Sequence, residues 1–185
     1  MKHKPISRRD FLKNIGIAGT GVLLATSPWL SAFSEVTHTS NEKCRLGIIG
    51  PGSRGRFLMS FLVQNPKVDI VALCDIYQPS IDEGLKLAPK AKVYGDYRKL
   101  LEDKNIDAVL VATPLSSHCQ IVMDAFDAGK HVFCEKTIGF TMEECFRMYN
   151  KHISTGKIFF SGQQRLFDPR YIKTMEMIHA GTFGE

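Results

Sequence analysis

Residues 50–55, Gly50-Pro51-Gly52-Ser53-Arg54-Gly55, hold three glycines at GxGxxG spacing. That spacing suits a main chain that must cradle an anion. Gly50 permits a tight turn, Gly52 lets the backbone come close to a pyrophosphate, and Gly55 lets a helix pack closely on a strand. The helix that the turn opens would aim its free N–H groups and the positive end of its dipole at the phosphates. Glycine-rich turns are common, so the spacing alone is weak. Here it is answered by Asp75, about twenty residues further on. Asp75 can accept hydrogen bonds from adenosine ribose hydroxyls and would repel a 2′-phosphate, so NAD is expected rather than NADP. Ile76 and Tyr77 bring no compensating base, and Arg54 and Arg56 are the basic side chains within reach of a phosphate.

These residues can act only if strands and helices hold them in order. Arg45–Ile49 reads as a short apolar strand entering the glycine-rich turn, and Phe57, Leu58, Phe61 and Leu62 give Arg56–Gln64 helical spacing. Val68–Cys74 and Lys92–Tyr94 read as strands, with helices over Pro79–Leu87 and Tyr97–Glu102. Ala108–Ala112 is an almost continuous apolar run, as expected of a strand covered on both faces. A helix follows over Ser116–Ala128, capped by Ser116 or Ser117 and stopped by Gly129. His131–Cys134 is a fifth strand. Thr141–Thr155 is a helix with Thr141 and Glu144 at capping-box spacing. Ile158–Ser161 is a sixth strand, and Pro169–Ala180 a last helix stopped by Gly181. Strands alternating with helices imply a parallel sheet covered on both faces, and right-handed crossovers make it a doubly wound α/β (Rossmann) fold.

In such a sheet ligands bind outside the carboxyl ends of the strands. Thr113-Pro114 and His118 follow the fourth strand, Glu135-Lys136 the fifth, and Gln164-Arg165 the sixth. Several runs line up with these turns: Leu46-Gly47-Ile48-Ile49-Gly50, Val71-Ala72-Leu73-Cys74-Asp75, Ala112-Thr113-Pro114-Leu115-Ser116-Ser117-His118, Ala128-Gly129-Lys130-His131-Val132-Phe133-Cys134-Glu135-Lys136 and Gly162-Gln163-Gln164-Arg165. Together, over about residues 45–185, this ordered set resembles the glucose–fructose oxidoreductase / inositol dehydrogenase / rhizopine-catabolism (Gfo/Idh/MocA) family. The resemblance implies that Thr113, Pro114 and His118 lie near the nicotinamide half of the cofactor. It also implies that Glu135-Lys136 opens the family's Glu-Lys-Pro motif. Lys136 is then the catalytic candidate, a general base for the hydroxyl proton when hydride leaves a secondary alcohol. Gly50, Gly52, Ser53, Arg54, Gly55, Asp75, Thr113, Pro114, His118, Glu135, Gln164 and Arg165 make up the expected cofactor site. Thr137 stands where the family usually has proline, and Leu115 where asparagine is usual.

The formal charge of +5 is concentrated at the start, where Lys2, Lys4, Arg8, Arg9 and Lys13 face only Asp10 within residues 1–34. The remainder is close to neutral, which argues against a nucleic-acid partner. Ser7-Arg8-Arg9-Asp10-Phe11-Leu12-Lys13 precedes a weakly apolar stretch broken by Gly16, Gly19, Gly21 and Pro28. The run resembles a twin-arginine export signal, too short and broken for a stable membrane span. The expected organisation is a signal over residues 1–34, a polar linker over 35–43, the dinucleotide-binding domain over 44–165, and the start of a further region over 166–185. The five cysteines are an odd, scattered set without a CxxC pair, so neither a disulfide framework nor a zinc site is expected, and Cys74 and Cys134 sit in apolar runs typical of core.

The family resemblance implies a second, α+β substrate domain built on an open antiparallel sheet, and the chain is expected to lack it. The leading expectation is the cofactor half of an exported NAD-dependent sugar or polyol dehydrogenase, which could form homo-oligomers at full length. One alternative is the family's glycosidase branch, which oxidises the sugar transiently, returns the hydride, and tends to lack the lysine. The other is a non-catalytic nucleotide-binding fragment.

Overall fold

The computed structural model describes residues 43–184, without the side chains of residues 166 and 167. The expected signal and nearly all of the linker lie outside the described residues. Among them, six parallel strands form one sheet: β1 (Cys44–Ile49), β2 (Val68–Cys74), β3 (Lys92–Tyr94), β4 (Ala108–Val111), β5 (His131–Cys134) and β6 (Phe159–Ser161). Their order is β3-β2-β1-β4-β5-β6. The chain winds outward from β1 in one direction, then returns to β4 and winds the other way. The reversal between β1 and β4 opens a crevice at their carboxyl ends.

Two cores follow from the two-residue period of the strands. On one face Ile48, Leu73 and Leu110 pack with Met59 of α1 (Ser53–Leu62) and Ile81 of α2 (Gln78–Leu87). On the other, Ile49, Val109 and Val111 pack with side chains of three helices: Leu100 of α3 (Tyr97–Glu102), Phe126 of α4 (His118–Asp127) and Met148 of α5 (Met142–Thr155). A final helix, α6 (Pro169–His179), has no buried residue. The sheet is thus doubly wound, as its sequence pattern implies.

Local chemistry sets the element ends. The expected capping box is present: Thr141 accepts from the Glu144 N–H, and the Glu144 carboxylate accepts from the Thr141 N–H. Two expectations shift. The first helix starts at Ser53 rather than Arg56, because Gly52 serves as its cap and the glycine-rich segment itself supplies the first turn. The helix expected from Ser116 is preceded by a tight turn over Leu115–Ser117 and begins at His118. Ser117 makes no cap bond there; its hydroxyl donates to Thr113 Oγ1 at 2.8 Å and the Pro114 carbonyl at 2.7 Å.

Candidate cofactor and catalytic site

Register aligns the strand ends. Ile49 pairs with Cys74 on one side and Val111 on the other, Val111 with Cys134, and Cys134 with Ser161. The residues that come next therefore share one edge, and they continue the ladder. Gly50 donates to the Cys74 carbonyl at 2.8 Å, Glu135 to Val111 at 2.9 Å, and Gly162 to Cys134 at 2.8 Å. This row gathers the glycine-rich turn, Asp75, Thr113-Pro114, Glu135-Lys136 and the residues before Gln164.

Each fingerprint glycine has a different reason to be glycine. Gly50 has φ +87°, and a Cβ there would lie 2.9 Å from the Ala112 carbonyl and the Thr113 nitrogen. Only glycine lets the β1 turn pass beneath the β4 exit. A Cβ on Gly55 would collide with the Gly50 carbonyl oxygen. At Gly52 a Cβ would meet nothing within 4 Å, so the main chain is open to a partner on that side. The first turn of α1 holds no acidic residue and no side chain caps it, which leaves its N–H groups and dipole available to an anion. Asp75 Oδ1 accepts from the Tyr77 N–H at 2.9 Å. Its other oxygen suits a ribose hydroxyl. These features fit NAD: a main-chain cradle for the pyrophosphate beside a carboxylate for the adenosine ribose.

The two arginines near the turn are already engaged. Arg56 donates to the Pro51 carbonyl at 2.8 Å. Arg54 donates from Nε to Glu135 Oε1 at 2.7 Å, and its terminal nitrogen lies 2.6 Å from the same oxygen. Glu135 is buried, 4% exposed, and its Oε2 accepts from the Lys136 N–H at 3.1 Å. In the amide orientation that satisfies both groups, the Gln164 oxygen accepts from Arg54 at 2.6 and 3.2 Å. A Cβ on Gly162 would lie 3.1–3.2 Å from Glu135, so the β6 exit packs closely over that residue. Sequence reasoning put Arg54, Glu135 and Gln164 in one site but missed that they bind each other. The available signal was an acid and a base, each just past a strand end; the strand order decides that they meet.

His118 is 2% exposed. Its ring nitrogens lie 2.9 Å from two main-chain carbonyl oxygens, Nδ1 from Thr137 and Nε2 from Thr113. The ring thus braces the β4 and β5 exits against each other, with its nitrogens turned to protein. Lys136 lies between these anchored neighbours and is exposed, the peptide after it being cis. Arg165 and Gln164 line a polar pocket with Asp168, Arg170, Tyr171 and Thr174, in which Arg165 contacts the Tyr171 hydroxyl.

Cys74 and Cys134 are core residues, 3% and 0% exposed. Burial pushes both thiols up to about 12, so neither is a thiolate nucleophile at neutral pH. Among the described residues no helix is long and apolar enough to cross a membrane, and no three His, Cys, Asp or Glu side chains are grouped to hold a metal.

Known proteins resemble this chain. A glycosyl hydrolase family 109 protein of Stenotrophomonas maltophilia is 30% identical over 97% of this chain and 40% of its own length. The myo-inositol 2-dehydrogenase of Thermotoga maritima is 32% identical over 76% of this chain and 42% of its own. Among solved structures, scyllo-inositol dehydrogenase from Lactobacillus casei, with bound NAD(H) and scyllo-inositol, superposes with a TM-score of 0.73 at 25% identity, covering 78% of this chain and 43% of that one. The chain spans less than half the length of these relatives. The model of the oxidoreductase family with an NAD-binding Rossmann fold, Gfo/Idh/MocA, matches residues 44–163, and the chain belongs to that family.

Proposed function

We propose that this chain supplies the cofactor site and the catalytic lysine of an NAD-dependent oxidoreductase acting on a secondary alcohol of a sugar or polyol. The observation that carries the reading is the placement of Lys136. Its side chain is exposed at the carboxyl edge of the sheet, while Glu135 before it and Thr137 after it are tied to Arg54 and His118. A fixed backbone with a free amine suits a group that must meet a substrate proton in one geometry. NAD, when bound, takes up the hydride. The Ser53–Gly55 amides and Gly52 hold its pyrophosphate, Asp75 its adenosine ribose, and the Thr113-Pro114 turn borders its other half. Lys136 Nζ accepts the hydroxyl proton during oxidation and returns it during reduction. The polar pocket beside Gln164 offers the substrate hydroxyls donors from Arg165 and Tyr171.

The test is oxidation of a polyol panel, inositols included, followed by NADH formation. Lys136→Met is expected to lower the rate by about 10²-fold or more, the range of general-base catalysis, while NADH affinity stays within about threefold. Undiminished oxidation by the variant would refute the role given to Lys136.

The glycosidase reading is favoured by one observation. The relative named for glycosyl hydrolase family 109 aligns over 97% of the chain, and the inositol dehydrogenase over 76%. Presence of Lys136 favours the dehydrogenase. Cleavage of a chromogenic glycoside with no net NADH would decide for the glycosidase, and accumulation of NADH for the dehydrogenase. NADH binding with neither reaction would leave a nucleotide-binding module.

We also propose export by the twin-arginine route, on the strength of Arg8-Arg9 ahead of a weakly apolar stretch. Residues 1–34 fused to a folded reporter are expected to deliver it outside the cytoplasm, and replacing both arginines with lysine to stop delivery. Continued delivery by that variant would exclude the route.

A further inference from the structure

Arg54 occupies the first turn of α1, where a phosphate ligand would be expected. Its guanidinium instead faces Glu135, with Nε and a terminal nitrogen both on Oε1 at 2.7 and 2.6 Å. Its terminal nitrogens also meet the Gln164 oxygen at 2.6 and 3.2 Å. The Glu135 side chain is 6% exposed, against 34% for Arg54. Removing Arg54 to a phosphate would leave a buried carboxylate unpaired, which costs more than one phosphate hydrogen bond returns. Glu135 in turn accepts from the Lys136 N–H. The chain of contacts runs from the phosphate-binding helix through Arg54 and Glu135 to the peptide that carries Lys136.

We propose that Arg54 is a positioning residue for Lys136: it binds Glu135 rather than the cofactor phosphates and fixes the β5 exit that borders the nicotinamide half. This rests on the reading of the sheet edge as an NAD site and goes beyond it, since it removes the one basic side chain in the turn from the phosphate contacts. Gln164 closes the arrangement from β6, so three strand exits are joined at one guanidinium.

ADP-ribose keeps the adenine, the pyrophosphate and both riboses of NAD but lacks the nicotinamide ring, so it separates the two roles. Calorimetric titration of the chain with ADP-ribose and with NADH is the experiment. For Arg54→Met the expected result is an unchanged ADP-ribose Kd, within about twofold, and an NADH Kd raised about tenfold, because the main chain of the β5 exit rather than the Lys136 amine borders the nicotinamide half. The double variant Arg54→Met/Glu135→Met is expected to bind NADH no worse than Glu135→Met alone, because a residue acting through a partner adds nothing once the partner is gone. Equal losses for both ligands, or additive losses in the double variant, would overturn the proposal and make Arg54 a phosphate ligand. If Arg54→Met does not fold, Arg54→Lys serves, since it keeps a cation beside Glu135. It is expected to hold ADP-ribose affinity and lose NADH affinity less than about fivefold, and a matched loss on both ligands would again overturn the proposal. Failure of the unaltered chain to bind either ligand would overturn the NAD reading itself, and the role of Arg54 with it.

Discussion

His118 reaches across 19 residues of sequence to place Nδ1 2.9 Å from the carbonyl oxygen of Thr137, immediately after the catalytic candidate. The same ring meets Thr113 with its other nitrogen. A side chain expected near the cofactor spends both ring nitrogens on main-chain carbonyls. His118→Leu removes partners from two carbonyls in a 2% exposed position. The expected loss is about 1–3 kcal/mol in urea unfolding, from a buried carbonyl left short of its donor. A loss within about 0.5 kcal/mol, the range of ordinary surface substitutions, would show that the ring braces nothing.

Two glycines of one motif should fail differently. Gly50→Ala forces a Cβ to 2.9 Å from the Ala112 carbonyl at φ +87°. It should lower stability by about 2 kcal/mol or more. Gly52 has φ −66° and open space around its missing Cβ. Gly52→Ala should therefore melt like the unaltered chain yet bind NADH at least about tenfold more weakly, because a methyl group occupies the pyrophosphate approach. Normal NADH affinity in Gly52→Ala would place the phosphates elsewhere.

Cofactor choice is expected to rest on Asp75. Its Oδ1 is taken by the Tyr77 N–H, which holds the carboxylate in place. NADPH should bind at least about tenfold more weakly than NADH, a difference of roughly 1.4 kcal/mol from charge repulsion. Asp75→Ser should narrow that gap mainly by weakening NADH. Equal affinities in the unaltered chain would remove Asp75 from ribose recognition.

Arg45 and Asp107 join the starts of β1 and β4 through Arg45 Nε at 3.0 Å and a terminal nitrogen at 2.6 Å. The hydrogen bond from Arg45 holds the Asp107 carboxyl below its ordinary value of 3.8. A carboxyl with a lower value in the folded state stabilises fully above the ordinary value. That stability is lost as pH falls through the folded value. Both side chains are more than a third exposed, so solvent screening limits the effect to about 1 kcal/mol or less. Asp107→Asn should be less stable at neutral pH, with the gap closing as pH falls below the ordinary carboxyl value of 3.8 in urea titrations. A gap independent of pH would assign the loss to packing.

Much of this was legible in the sequence. The alternation of apolar strands with capped helices pointed to a doubly wound parallel sheet, because each pattern has one period and one punctuation. The places of Asp75, Lys136 and the glycines just past strand ends were legible, because strand and turn patterns mark those positions. What stayed hidden depends on register between distant strands. Arg54 and Glu135 are 81 residues apart and meet only because β1 and β5 flank β4. The inward turn of His118 was equally hidden, since helical spacing does not say that two loop carbonyls will lie beside the ring.

The most direct test of the shared edge is an NADH titration of the chain followed by backbone amide NMR. Saturable shifts are expected at Gly50, Gly52, Ser53, Arg54, Gly55, Asp75, Thr113 and Lys136, with the amides at the opposite end of the sheet unmoved. Absence of saturation, or shifts confined to another surface, would contradict the assignment of this edge as the NAD site.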